Sequence, residues 1–257
     1  MVSTTVTPSI APTTSPPAEL RGLHRHSIDT ALLAIVVAEA LGTFLLVLTV
    51  LSAAIAATLS KPIAGVAYGS LTVPVAGGVA LAVLVAILGP ISGAHLNPAV
   101  TLSVVLERKL PFKRVLPYML SQLVGAVVAA LVAWWFYGPK ARSVAYLGAT
   151  QPAAGVDAWR VFGAEAIATF VLVIVIIGVG RASSNLAPVA IGSALAAAIL
   201  ISGPISGAGM NPARAIGPMI VAGKFTDWWA YVAAPILGGG VAASASTWLV
   251  RSVVPSA

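Results

Sequence analysis

Long apolar runs separated by short polar connections dominate the chain. A bilayer core of about 30 Å needs roughly 20 consecutive apolar residues in a helix. Six runs reach or approach that length: Ala31 to Leu59, Val66 to Leu88, Val115 to Tyr137, Val161 to Gly180, Leu186 to Ser202 and Trp229 to Val250. Two more, Pro98 to Leu106 and Pro212 to Ala222, are too short to span. Ahead of the first run, twelve of the first seventeen residues are Ser, Thr or Pro. Such a stretch cannot bury enough apolar surface to order itself, so residues 1–30 are read as a disordered tail. The first run follows a polar leader rather than a short basic segment with a cleavage site, and is read as a retained helix. Residues 251–257 form a short C-terminal tail.

Composition agrees with a membrane bundle and excludes several classes. Of 257 residues, 59% are hydrophobic and 8% charged, with a mean hydropathy of +1.00, where a soluble domain carries about 25% charged residues. An ordinary soluble enzyme is excluded. The 24 Gly and 18 Pro suit helices that pack closely or break inside a bilayer. The net charge of +7 comes from 14 Lys and Arg scattered singly or in pairs, which form no basic face for nucleic acid. The absence of Cys rules out disulfides and thiolate ligands. Of the three His, His24 and His26 lie in the tail, so no metal site and no cofactor are expected.

The cationic residues also set an orientation. With six spans, the flanks on the side of the termini hold Arg21, Arg25, Arg108, Lys109, Lys113, Arg114, Arg181 and Arg251. The other side holds Lys61, Lys140, Arg142, Arg160 and Lys224, with Arg214 inside an apolar stretch. This bias predicts that both termini are cytoplasmic. Trp134, Trp135, Tyr137, Trp159, Trp228 and Trp229 sit at run ends, where aromatic side chains anchor at the interface.

An internal repeat sets the architecture. Ala38-Glu39-Ala40-Leu41-Gly42-Thr43-Phe44 returns as Ala164-Glu165-Ala166-Ile167-Ala168-Thr169-Phe170. Gly89-Pro90-Ile91-Ser92-Gly93-Ala94-His95-Leu96-Asn97-Pro98-Ala99 returns as Gly203-Pro204-Ile205-Ser206-Gly207-Ala208-Gly209-Met210-Asn211-Pro212-Ala213. Tyr118 with Gly125 returns as Tyr231 with Gly238. The repeats cover about residues 31–137 and 160–250. Three spans per half make the second half enter from the opposite face, so the repeats are inverted and the solute path is expected near the midplane between them.

The two short runs then have a place. Asn favours the N-cap and Pro the first helical position, so Asn97-Pro98 and Asn211-Pro212 each begin a helix. Ten residues at 1.5 Å give about 15 Å, half the bilayer core. Each segment is predicted to dip in as irregular backbone and return as a half-helix, with the two Asn caps meeting at the centre. Backbone of that kind is tolerated only where it is buried in protein or lines a wet cavity. Gly93 to Leu96 and Gly207 to Met210 would present carbonyl oxygens to a pore. The helix N-termini would repel cations, and the Asn amides would donate to whatever passes.

Paired Asn-Pro-Ala motifs, Asn97-Pro98-Ala99 and Asn211-Pro212-Ala213-Arg214, each preceded by Ser-Gly-Ala, with Ala-Glu-x-x-x-Thr-Phe opening both halves, resemble the aquaporin or major intrinsic protein family over about residues 31–250. The resemblance implies an all-α membrane fold of six transmembrane helices and two re-entrant half-helices. It also implies a homotetramer in the bilayer of a cell membrane, with one pore per subunit passing water or small neutral solutes. Aquaporin-type pores use half-helix ends and an Arg to exclude cations and protons. By the same resemblance a second constriction falls on Gly77, Ile199, Ala208 and Arg214. Strict water channels of the family have an aromatic at the first of these and His at the second, so this ring is expected to be wider and more apolar. Glycerol facilitators follow Asn-Pro-Ala-Arg with Asp, whereas this chain has Ala215. The second motif most resembles the nodulin-like branch and its bacterial relatives, which pass glycerol and uncharged metalloid hydroxides.

Each polar residue within the runs has a functional and a structural reading. Arg214 is a donor fork in the constriction or an ion-pair partner of Glu165, and the motif favours the first. Glu39 and Glu165 are proton carriers or acceptors for N–H groups of the re-entrant loop in their own half, and their symmetry favours the second. His95 is a vestibule group or a strut of its loop, the strut being preferred. Gly125 and Gly238 are read as helix crossings between halves, and Gly89, Gly93, Gly203 and Gly207 as close packing where the loops cross. The competing class is an ion-coupled secondary transporter, which also uses inverted repeats and broken helices; its coupling would need a carboxylate on the path. No catalytic constellation is present at matching depth, so the chain is not expected to be an enzyme.

Overall fold

The computed structural model describes residues 32–60, 71–182 and 185–253, the last four by backbone alone. The predicted tail with Arg21, His24, Arg25 and His26, the connection with Lys61, the start of the second run, and the last four residues lie outside these. Among the described residues the regular elements are all helices, six of them long and apolar enough to cross a membrane. They are α1 (Leu32–Thr58), α2 (Thr72–Ser92), α4 (Val115–Tyr137), α6 (Ala158–Ala182), α7 (Ala187–Ser206) and α9 (Ala230–Val253). The half-helices are α3 (Pro98–Leu106) and α8 (Pro212–Ala222), and a short α5 (Pro139–Ser143) follows α4.

The spanning helices are largely apolar on every side, and along part of α4 what separates core from lipid face is residue size. From Gly125 to the end of α4 the buried positions are Gly125, Ala126, Ala129, Ala130 and Ala133, while Leu116, Leu120, Val124 and Val128 form an exposed stripe at every fourth residue. Lipid tails are as apolar as Leu, so bulk gains nothing by burial, and small residues let backbones approach for dispersion contact. Val75, Val79, Val83 and Ile87 make the same outward stripe on α2.

Two sequence readings are corrected here. The second and fifth spans were expected to stop before Gly89-Pro90 and Gly203-Pro204, but α2 and α7 continue through both prolines to Ser92 and Ser206. An interior proline costs about 3 kcal/mol by removing an N–H and crowding a carbonyl, and here the damage is confined to the last turn. Continuing the helix sets the Ser92 carbonyl to accept from Tyr118 Oη at 2.6 Å and the Ser206 carbonyl from Tyr231 Oη at 2.6 Å. Gly93 and Gly207 then end the helices at φ 87° and 78°, a left-handed turn that suits glycine. Their role is helix termination.

Gly125 and Gly238 were expected to cross between halves. Instead Gly125 of α4 lies against the Ala40 carbonyl of α1, and Gly238 of α9 against the Ala166 carbonyl of α6, so both crossings are internal to a half. The halves meet elsewhere. Gly78 of α2 faces Gly192 of α7, and Gly217 of α8 packs on Ala126 of α4. Gly239 of α9 packs on Ser103 and Ala99 of α3, so each half-helix is held by the last span of the opposite repeat.

On the side of the termini, Glu107 at the end of α3 accepts from Arg181 of α6 at 2.7 Å and from Thr247 of α9 at 2.8 Å. On the opposite side, Asp157 caps α6 by accepting from the N–H groups of Trp159 and Arg160. Those bonds and the nearby Arg160 guanidinium hold its carboxyl below the usual carboxylate range. Trp159, Phe162 and Trp229 cluster beside it, with ring centroids 5.4 to 6.0 Å apart.

Candidate functional site

The site grows from the two re-entrant loops. Ala94 and Leu96 in one, and Ala208 and Met210 in the other, hold positive φ values of 48°, 52°, 57° and 53°. Non-glycine residues are seldom left-handed, and such strain persists only where the surroundings over-determine it. Here a buried carboxylate does so in each half. Glu39 accepts from Ser92 Oγ at 2.7 Å and from the backbone N–H groups of His95 at 2.9 Å and Leu96 at 2.7 Å. Glu165 accepts from Ser206 Oγ and from the N–H groups of Gly209 and Met210. Two backbone N–H groups of each turn thereby gain an acceptor, as backbone in lipid requires.

Asn97 and Asn211 begin α3 and α8. Asn97 Oδ1 accepts from the Ala99 N–H at 2.8 Å, and Asn211 Oδ1 from those of Ala213 at 3.0 Å and Arg214 at 3.2 Å. The amide nitrogens reach across the pseudo-symmetry. Asn97 Nδ2 donates to the Met210 carbonyl at 2.9 Å, and Asn211 Nδ2 to the Leu96 carbonyl at 2.8 Å. The half-helices therefore abut cap to cap, each locked to the other loop. An amide carries two N–H donors, so one on each Asn is spent on this lock.

Beside the caps lies a cavity of about 40 Å³, more than the roughly 10–15 Å³ needed to hold one water. Leu46 and Val50 of α1, Leu81 and Val85 of α2, Leu172 and Ile176 of α6, and Ile191, Leu195 and Ile199 of α7 make an apolar wall. Ala94, His95, Asn97, the segment Ala208 to Asn211, and Arg214 line the other side. Among the described residues Arg214 is the one guanidinium or ammonium group on this lining, and neither Glu39 nor Glu165 is part of it. Arg214 donates from Nη1 to the Gly148 carbonyl at 3.1 Å.

Gly77 sits behind this wall. A Cβ there would lie 3.0 Å from Ile199 Cδ1 and 3.3 Å from Val50 Cγ2, so those side chains occupy the room the glycine leaves. Val50 was not singled out in the sequence, although it follows Leu46 by one turn on the same buried face. Pro98 and Ala99, and Pro212 and Ala213, are buried in the first turns of the half-helices.

The His95 ring packs tilted against that of Tyr118, centroids 4.8 Å apart, and its Nδ1 lies 3.2 Å from Thr101 Oγ1. The Thr101 hydroxyl has one proton and points it at the Asn97 carbonyl at 3.1 Å. With that proton spent, His95 Nδ1 is the donor of the pair. Gln122 completes the group, its Nε2 donating to Glu39 at 2.8 Å and to Thr101 at 3.0 Å. Thr101 and Gln122 escaped the sequence reading. A lone amide one turn after Tyr118 in an otherwise apolar span was the available signal. The second half has Gly209, Ala215 and Pro235 at the corresponding places, and a Cβ at Gly209 would meet Glu165 and Tyr231.

Comparison with known proteins agrees with this geometry. The family model described as Major intrinsic protein matches residues 27–245. The probable aquaporin NIP7-1 of Arabidopsis thaliana is 37% identical over 223 residues, 85% of this chain and 78% of the relative. The aquaporin AqpM of Methanothermobacter marburgensis is 40% identical over 177 residues, 65% of this chain and 71% of the relative. Among solved structures, the aquaglyceroporin of Plasmodium falciparum matches with a TM-score of 0.76 at 23% identity, covering 87% of this chain and 98% of that one.

Proposed function

Because the chain belongs to the major intrinsic protein family, and is therefore a multi-pass membrane channel for water and small solutes, we propose that it passes glycerol-sized neutral molecules, including uncharged metalloid hydroxides, and excludes ions and protons. The observation that carries this reading is the pair of abutting Asn caps beside a cavity apolar on one wall and polar on the other. A polyol suits such a lining: its carbon face lies on Leu81, Leu195 and Ile199 while its hydroxyls meet the remaining Asn N–H groups, the loop carbonyls and Arg214. The constriction of Ile199, Ala208 and Arg214, with Gly77 behind it leaving the room that Ile199 fills, selects for size. The half-helix ends carry about half a positive charge each, so a cation about 5 Å from both meets roughly 3 kcal/mol of repulsion at an effective dielectric of 20. The loss of its hydration adds to that barrier.

The protein works as a homotetramer in the cell membrane with both termini in the cytoplasm. It does not couple to an ion gradient, since the carboxylates of the spans are spent on the loops and stay off the lining. Glu39, Glu165 and His95 support the pore walls.

Stopped-flow swelling of proteoliposomes tests the reading. Glycerol permeation is expected to be non-saturating and indifferent to proton or sodium gradients, and gradient-driven uptake would replace the channel with a transporter. Gly77→Phe combined with Ile199→His is expected to lower glycerol permeability at least tenfold while water permeability stays within about threefold, because bulk and a polar donor return to the ring. Water-only conduction by the unaltered protein would remove Gly77 and Ile199 from the constriction. Arg214→Val is expected to raise sodium leak about tenfold or more, as a unit charge at the constriction outweighs either helix end. An unchanged leak, with glycerol flux retained as proof of folding, would remove Arg214 from the barrier.

A further inference from the structure

Away from the pore, on the face opposite the termini, the end of α4 folds back through Gly138 at φ 73° into α5. This return, the turn Tyr146–Gly148 and the end of α8 enclose an open pocket of about 460 Å³ lined by Trp134, Arg142, Tyr146 and Lys224. Its cations are held on aromatic rings. The Arg142 guanidinium lies 4.8 Å from the Trp134 centroid, and Lys224 Nζ lies 3.9 Å from that of Tyr146. The ion pairs among the described residues join Lys109 and Arg181 to Glu107, and Arg160 to Asp157. Neither Arg142 nor Lys224 is in them, and Asp227, three residues beyond Lys224, pairs with neither.

We propose that this pocket binds the phosphodiester headgroup of an anionic phospholipid in the leaflet facing away from the termini. Two cations fixed by ring contacts lose little freedom when an anion arrives, and the guanidinium fork matches phosphate oxygens. The source is lipid because of where the pocket sits. Trp134 closes the last turn of a spanning helix, and its neighbours Trp135 and Phe136 are 80% and 59% exposed. Such rings occupy the boundary between acyl chains and headgroups. A phosphate in the pocket therefore has a place for its acyl chains alongside α4. Gly148, whose carbonyl accepts from Arg214, belongs to the turn that carries Tyr146, so the headgroup rests against the segment that orients the pore arginine.

The test titrates phosphatidylglycerol, phosphatidylcholine and inorganic phosphate separately into the full-length protein in neutral detergent, with bound lipid counted by native mass spectrometry. Each cation near a lipid surface is worth about fivefold in affinity. Arg142→Gln with Lys224→Gln is therefore expected to weaken one phosphatidylglycerol site per subunit about 25-fold. Arg160→Gln, a charge on the same face outside the pocket, is expected to change that site less than twofold. Glycerol permeability of the double variant serves as the fold control and is expected to be unchanged. Equal binding of the two lipids to the unaltered protein would overturn the proposal, as would an undiminished site in the double variant or an equal loss in Arg160→Gln. Displacement of the lipid by millimolar inorganic phosphate would overturn it in favour of a free anion.

Discussion

Glu39→Leu and Glu165→Leu are each expected to cost about 2–6 kcal/mol, and the corresponding Gln variants about 1–3 kcal/mol, because each buried N–H left without an acceptor costs about 1–3 kcal/mol. The count comes from the partners. Leu at 39 strands the N–H groups of His95 and Leu96 and leaves Gln122 Nε2 with Thr101 as its acceptor, and Leu at 165 strands those of Gly209 and Met210. The serines are spared, since a hydroxyl can turn to another acceptor, as Ser206 Oγ already does toward the Ser202 carbonyl at 3.0 Å. Gln retains one oxygen and so leaves one N–H unmet in either half. Gln122 can rotate its own amide to receive the new N–H at position 39, which keeps the first half from being the more sensitive. Thermal unfolding of the purified protein checks the order, with Leu lowest, then Gln, then the unaltered chain, in both halves. If Leu were tolerated as well as Gln, the carboxylates would not be what holds the loops. The same variants separate channel from transporter. Glycerol flux through Glu39→Gln is expected to remain independent of a pH gradient, whereas a carboxylate that carried protons would reveal itself by loss of coupling.

Much of this arrangement was legible in the sequence because it rests on local rules or on repetition. Asn-Pro at a helix start follows from capping, and the bounds Pro98 to Leu106 and Pro212 to Ala222 coincide with α3 and α8. The pairing of Glu39 and Glu165 with their own loops followed from their matching places in the two halves. What remained hidden depends on pairs of positions far apart in the chain. Nothing in the sequence near Gly78 says that its partner is Gly192, and periodicity cannot separate a lipid face from a core when both are apolar. The Gly-Pro pairs misled for a related reason. Proline signals a helix end on average, but Ser92 and Ser206 are worth one more helical turn only because Tyr118 and Tyr231 stand opposite their carbonyls. Gly148 escaped because its role lies in a carbonyl, which every residue has.

Gly238→Val is expected to be the most damaging substitution of a single glycine in the spans. An added Cβ would press on the Ala166 carbonyl oxygen of α6 and lie 3.1 Å from Ala166 Cα, and no rotamer relieves it because the clash is at Cβ itself. The obstructing atoms are backbone, so the helices must separate. Forcing extra methylenes into a packed interface costs about 1–3 kcal/mol and occasionally more. Val adds two further carbons to that seam, which puts the loss at or above the top of this range. Gly238→Ala carries the Cβ alone and recovers about 1 kcal/mol of helix propensity, so it is expected to fall between Val and the unaltered chain. Gly178 supplies the contrast: it lies in the helical interior near the end of α6, and an added Cβ there meets nothing within 4 Å. Gly178→Ala is therefore expected to be neutral or mildly stabilising through propensity alone. Thermal unfolding and the yield of folded protein read the series. Separation of α6 from α9 would also shift Glu165 away from the Gly209 and Met210 N–H groups, so folded Gly238→Ala is expected to lose glycerol permeability at temperatures where Gly178→Ala keeps it. Equal behaviour of the two alanine variants would mean that the crossing has slack, and that close approach at Gly238 does not position the loop.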